Sequence, residues 1–96
     1  MAKGYWIAAV DVQNPDAYKN YVAANGAAFA KFGGRFLVRG GACDVVEGDW
    51  RPGRVVVIEF PDMAAAKAWY GSAEYGPLVK LRQSASTGSL LLIEGA

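Results

Sequence analysis

The sequence predicts an α+β domain of element order βαββαβ: a four-stranded antiparallel sheet with its helices on one face. Three observations carry that prediction. A strand pattern runs into Asn14-Pro15-Asp16, then a helix pattern, then a strand. The same series recurs where a strand runs into Phe60-Pro61-Asp62. Finally, the first, third and last strands are apolar on both parities, so both faces of the sheet demand cover.

Tyr5 to Val12 opens the series, with aromatic and branched residues alternating between the two faces. Asn14 can cap a helix, Pro15 suits the first helical position, and Asp16 meets the positive end of the dipole. Tyr18, Tyr21, Val22, Phe29 and Phe32 recur at helical spacing among alanines, and Gly33-Gly34 ends the run. Arg35 to Arg39 reads as a short strand with Phe36 and Val38 on one face and Leu37 on the other, broken by Gly40-Gly41. Ala42 to Gly53 reads as a long hairpin connection, with room for a short strand at Cys43 to Val46 and turn chemistry at Gly48, Pro52 and Gly53. Arg54 to Phe60 is the plainest strand, a run of Val55, Val56, Val57 and Ile58. Pro61-Asp62 opens a short second helix through Trp69 and Tyr70, interrupted at Gly71-Ser72; Gly76-Pro77 starts one or two further turns through Leu78, Val79 and Leu81. Thr87 to Glu94 is the last strand.

This order is the split βαβ, or ferredoxin-like, arrangement, and the right-handed crossover rule selects its hand. Helices on one side leave the other side of the sheet bare. Tyr5, Ile7 and Ala9 oppose Trp6, Ala8 and Val10; Val55 and Val57 oppose Val56 and Ile58; Leu90 and Leu92 oppose Leu91 and Ile93. Whichever set faces away from the helices forms an apolar patch, and the same face of a second copy is the simplest cover, a twofold homodimer.

Composition narrows the function classes. With 96 residues the chain is one domain, 1–96. No apolar run reaches the roughly 18 residues of a membrane span, and no signal-peptide pattern precedes the first strand, so no membrane partner and a cytoplasmic location are expected. Ten basic residues against nine acidic ones leave a net charge of +1, too balanced for a nucleic-acid binder. The single cysteine, Cys43, excludes an internal disulfide and reads as passive. The chain has no histidine, which removes Ser–His and Cys–His nucleophile pairs and histidine-held haem or zinc. No metal and no cofactor are expected.

Gly4-Tyr5-Trp6, the segment Gly33-Gly34-Arg35-Phe36-Leu37-Val38-Arg39-Gly40-Gly41, Glu59-Phe60-Pro61 and Trp69-Tyr70-Gly71-Ser72-Ala73-Glu74-Tyr75 form an ordered series across nearly the whole chain. In it the chain resembles the small bacterial family catalogued as domain of unknown function 1330, of the dimeric α+β-barrel superfamily. The resemblance implies a homodimer whose two sheets form a barrel. It implies no particular activity, since the superfamily spans cofactor-independent monooxygenases, haem-degrading enzymes, isomerases and ligand sensors.

Several residues are candidates for a site. Arg39 beside Gly40-Gly41 could hold a carboxylate or enolate, or pair with Glu47 or Asp44. Glu59 ends an apolar strand; partly buried, its carboxyl would have a raised pKa and could act as a catalytic base, whereas antiparallel pairing would set it beside Arg35. Trp69, Tyr70 and Tyr75 with Arg82 form an aromatic wall with a cation at its edge, or a cap that closes the second helix on the sheet. Two functions follow. One is the binding or transformation of a small organic molecule through Arg39, Glu59, Tyr75 and Arg82; the other is a structural or regulatory dimer with a filled barrel. A cavity of several hundred Å3 reached by Arg39 or Glu59 separates the first from the second.

Overall fold

The computed structural model describes residues 2–96. Its elements are β1 (Gly4–Val12), α1 (Pro15–Ala30), β2 (Arg35–Arg39), β3 (Arg54–Phe60), α2 (Met63–Tyr70), α3 (Gly76–Ala85) and β4 (Ser86–Glu94). Two helices begin where side-chain caps predict. The Asn14 side chain accepts from the backbone N–H of Ala17 at 3.1 Å, and Asp62 accepts from that of Ala65 at 2.7 Å. After α1 the chain turns at Gly33 (φ +76°), and the Gly34 N–H bonds back to the Phe29 carbonyl at 3.0 Å. The further turn or two expected after Gly76 is a ten-residue helix, α3, that packs on α1. Pro77 in its first turn and the absence of any later glycine or proline let it run.

The sheet is antiparallel throughout, in the order β2-β3-β1-β4. Trp6 lies opposite both Ile58 and Leu92, so the even-numbered residues of β1, β3 and β4 share one face. Trp6, Ala8, Val10, Val56, Ile58 and Phe60 on that face are buried against Tyr18, Tyr21 and Phe29 of α1, Ala66 and Trp69 of α2, and Ala85 of α3. Burying Ile58 or Phe60 contributes about 1.5–3 kcal/mol each. The odd-numbered face, which includes Tyr5, Ile7, Ala9, Val55, Val57, Leu91 and Ile93, carries no helix; Leu91 and Ile93 are each half exposed. No helix among the described residues is long and apolar enough to cross a membrane.

Two expectations about the middle of the chain need correction. No strand forms at Cys43 to Val46; Gly41 to Gly53 is irregular, with Val46 and Trp50 exposed, because no edge pairs with it. Phe36 and Val38 do not share a face. The β2–β3 register shifts between them, so that Phe36 pairs with Ile58, Val38 with Val57 and Arg39 with Val56. This bulge at Leu37 puts Phe36 and Arg39 on the helix side and Val38 on the other.

Candidate ligand cleft

Regular alternation would send Arg39 to the same face as Arg35. Because of the bulge it instead reaches over the helix side, its guanidinium carbon 4.7 Å from the centre of the Phe36 ring. Gly40 follows with φ +68° and ends the strand. A side chain there would collide with Arg54, since a Cβ would stand 2.5 Å from Nη1 and 2.8 Å from Cζ. The bare glycine therefore leaves room for the Arg54 guanidinium beside the end of β2. That guanidinium also lies 5.5 Å from the centre of the Tyr18 ring on α1.

Arg39, Arg54 and the α1 residues Tyr18, Lys19 and Val22 line an open cleft of about 580 Å3, with Pro15 at the helix N-terminus also on its wall. The volume is of the size that holds a small organic ligand. Its polar groups are two guanidiniums, an ammonium and a phenol; no carboxylate lines it. Burial pushes the Tyr18 phenol above its usual pKa, with the Arg54 charge and hydrogen bond opposing that shift, so it stays a hydrogen-bond donor at neutral pH.

A narrow recess shares Tyr18, Val22 and Arg54 with the cleft and is lined further in by Trp6, Asn25 and Phe36. Its volume, about 10 Å3, is close to the space of one water. Four buried side-chain polar atoms among the described residues have no hydrogen-bond partner: Trp6 Nε1, Asn25 Oδ1, Arg54 Nε and Trp69 Nε1. Three of them belong to residues of this recess.

Behind the recess runs a buried polar chain. Arg82, 5% exposed, donates from Nη1 to the Tyr75 hydroxyl at 2.8 Å. That hydroxyl lies 2.7 Å from the Tyr21 hydroxyl, which Asn25 Nδ2 reaches at 3.4 Å. Burial, then the neighbouring Tyr75 phenol, pushes the Tyr21 pKa well above 10. Tyr75 is raised by burial as well, against the lowering effect of Tyr21 and Arg82.

The structure thus separates the residues singled out in the sequence. Arg39 reaches the cleft and makes no pair with Glu47 or Asp44 among the described residues. Trp69 and Tyr75 are fully buried, their ring centres 4.1 Å apart, and Trp69 also packs edge-on against Trp6 at 5.3 Å. They are core rather than an open wall, because the break after α2 turns Tyr75 inward under α1. Arg82 holds Tyr75 from behind. Glu59 lies on the helix-free face, paired with Arg35 at 2.9 Å and Lys3 at 3.2 Å. Burial would raise its pKa, but the hydrogen bonds from Lys3 and Arg35 outweigh that and hold the carboxyl below its usual value, the reverse of a poised base. Sequence reasoning missed Arg54 and Tyr18. The available signal was parity: Arg54 continues the buried series Val56, Ile58 and Phe60, where a charge is out of place.

No curated protein matches the chain. Among solved structures, the chain is similar to RPA0582, a protein of unknown function from Rhodopseudomonas palustris, with 23% identity over 97% of this chain and 80% of that one, TM-score 0.77. The methylated form of RPA0582 gives 21% identity, coverage of 99% and 82%, and TM-score 0.79. SnoaB, a cofactor-independent oxygenase from Streptomyces nogalater, gives 17% identity, coverage of 97% and 92%, and TM-score 0.64. At these identities the likeness is one of fold, the α+β-barrel type. The model of the family described as domain of unknown function (DUF1330) matches residues 3–96, and the chain belongs to that family.

Proposed function

We propose that the protein is a homodimer that binds a small organic molecule in the cleft between α1 and the β2–β3 end of the sheet, one site per subunit. The observation that carries this reading is the cleft itself, of ligand size and reached by Arg39. Its lining can hold and polarise an oxygen atom through guanidinium, ammonium and phenol groups, and a flat apolar body fits against Val12, Val22 and the Tyr18 ring. The lining offers no carboxylate, and Glu59 stands on the other face, so retention of a ligand is better supported than proton abstraction.

The dimer rests on the helix-free face. Tyr5, Ile7, Val55, Val57, Leu91 and Ile93 form a continuous apolar surface there across three adjacent strands. At ~25 cal/mol per Å2, pairing it with its own copy contributes many kcal/mol before the cost of association. Stacking two such sheets makes the barrel. This packing leaves the α1 cleft on the outer, helix-covered side of each sheet.

A thermal-shift and calorimetry screen of compact organic molecules tests the ligand reading, run on wild type, Arg39→Ala and Ala23→Phe, which fills the cleft from α1. Hits that bind wild type and are lost in Ala23→Phe support it. A screen with no hit, or hits indifferent to Ala23→Phe, overturns it.

A further inference from the structure

We infer that the ligand of this cleft is an organic monoanion, a carboxylate or enolate on a flat apolar body, with its anionic oxygens seated between Arg39 and Arg54. The inference rests on the cleft being the ligand site and adds what that site selects.

Charge is the first argument. The chain as a whole is almost neutral, with ten basic and nine acidic residues. Yet three of the ten basic residues, Lys19, Arg39 and Arg54, line one cleft that no acidic residue lines. Among the described residues none of these three makes a salt bridge; the pairs present are Lys3–Glu59 and Arg35–Glu59, on the opposite face. Gathering like charges without a counter-ion is unfavourable in the empty protein, and an anionic ligand removes that repulsion.

Unused hydrogen-bonding capacity is the second. Arg54 Nε is buried with no acceptor, although each guanidinium nitrogen that loses water needs one. The same residue contributes to both the cleft and the recess, where Trp6 Nε1 is a second donor without a partner. Donors outnumber acceptors on this wall: the one unpartnered acceptor is Asn25 Oδ1. A carboxylate only accepts, and the planar guanidinium fork matches it in two parallel bonds.

Backbone construction is the third. The bulge between Phe36 and Val38 turns Arg39 toward the helices, and Gly40 in its left-handed conformation leaves the space that the Arg54 guanidinium uses. Both features place a guanidinium on the lining of the same cleft. The remaining walls, Val12, Pro15, Val22 and Ala23, are apolar, which suits a ring or short hydrocarbon body. The divided lining sets the pose: oxygens at the β2–β3 end, body along α1.

The test compares 2-naphthoate with its neutral isostere 2-naphthamide, and benzoate with benzamide, by calorimetry on wild type, Arg39→Gln, Arg54→Gln and Arg35→Gln. The last changes net charge identically on the opposite face. Circular dichroism confirms that each variant is folded, and Arg39→Gln, at an exposed side chain, keeps the test sound if Arg54→Gln unfolds. The expected result is that at least one acid binds wild type roughly tenfold or more tightly than its amide, the worth of a hydrogen bond to a charged group. Arg39→Gln loses about the same factor and Arg35→Gln keeps wild-type affinity. Acid and amide binding equally, with both lost in Ala23→Phe, overturns the anion and leaves the cleft reading standing. Equal weakening by Arg35→Gln also overturns it, as attraction to net charge alone. Binding of neither these probes nor any member of the wider screen defeats the cleft reading itself.

Discussion

Replacing Tyr75 by Phe removes one oxygen and leaves the ring, so its cost reads the buried polar chain with little disturbance of packing. That oxygen accepts from Arg82 at 2.8 Å and lies 2.7 Å from the Tyr21 hydroxyl, in a side chain with no exposure. The hydrogen bond to the charged guanidinium is worth about 1.5–3 kcal/mol, and the neutral hydroxyl pair about 1 kcal/mol. Together they predict a loss of about 3 kcal/mol for Tyr75→Phe, because Arg82, 5% exposed, has no carboxylate to turn to. Tyr21→Phe keeps the Arg82–Tyr75 bond and loses about 1 kcal/mol. Arg82→Met removes the charge that made Tyr75→Phe expensive, so the double variant costs less than the sum of the singles by about 2 kcal/mol. Urea denaturation at one fixed protein concentration measures this, with a midpoint drop of roughly 1–3 M for Tyr75→Phe. A Tyr75→Phe protein within about 0.5 kcal/mol of wild type, or additive costs in the cycle with Arg82→Met, would refute the reasoning.

Three further outcomes are expected. Leu91→Lys, on the helix-free face, converts the dimer to monomer by light scattering at micromolar concentration, whereas Lys67→Glu on α2 leaves it dimeric; a Leu91→Lys dimer of unchanged affinity contradicts the proposed assembly. The Glu59 carboxyl titrates below 4.5 by NMR and moves upward in a Lys3→Ala, Arg35→Ala variant. Its folded pKa is depressed, so the stability it contributes is present above about pH 4.5 and is lost as pH falls through the lower folded value. Tyr21 and Tyr75 have raised folded pKa values, so their contribution is full below pH 10 and declines as pH rises beyond it. Alkaline denaturation followed by circular dichroism reads that decline, and Tyr21→Phe makes it shallower.

Much of the fold is legible in the residues because local and global signals agree. Asn14-Pro15 and Pro61-Asp62 mark helix starts that are capped as their chemistry requires. Arg54 to Phe60 and Arg35 to Arg39 are strands with those same bounds. The pairing of Arg35 with Glu59 follows from antiparallel register alone. The site is less legible because it depends on a departure from regularity. Nothing in the composition of Phe36-Leu37-Val38 announces a bulge, so the face to which Arg39 belongs cannot be read from alternation. Tyr18 looks like any aromatic on the buried side of a helix; it becomes a cleft residue only because the topology sets β3, and with it Arg54, beneath α1. Trp69 and Tyr75 are a different case. Their nearness in sequence allows either an open wall or a cap that closes the second helix on the sheet, and both rings lie in the core, Trp69 from α2 itself and Tyr75 from the turn after it.

The register shift in β2 makes the chemistry of two surfaces depend on how the strand pairs rather than on residue identity. Drawing Leu37 into the ladder opposite Val57, with no change of length, restores strict alternation and in one step exchanges the phases of Val38 and Arg39. An aliphatic group then enters the cleft while a guanidinium enters the apolar sheet face. A single slip of register, with every side chain unchanged, thereby degrades ligand selection and self-association together. Deletion of Leu37 removes the extra residue and leaves Val38 and Arg39 on their present faces, so it is expected to be tolerated far better than such a slip.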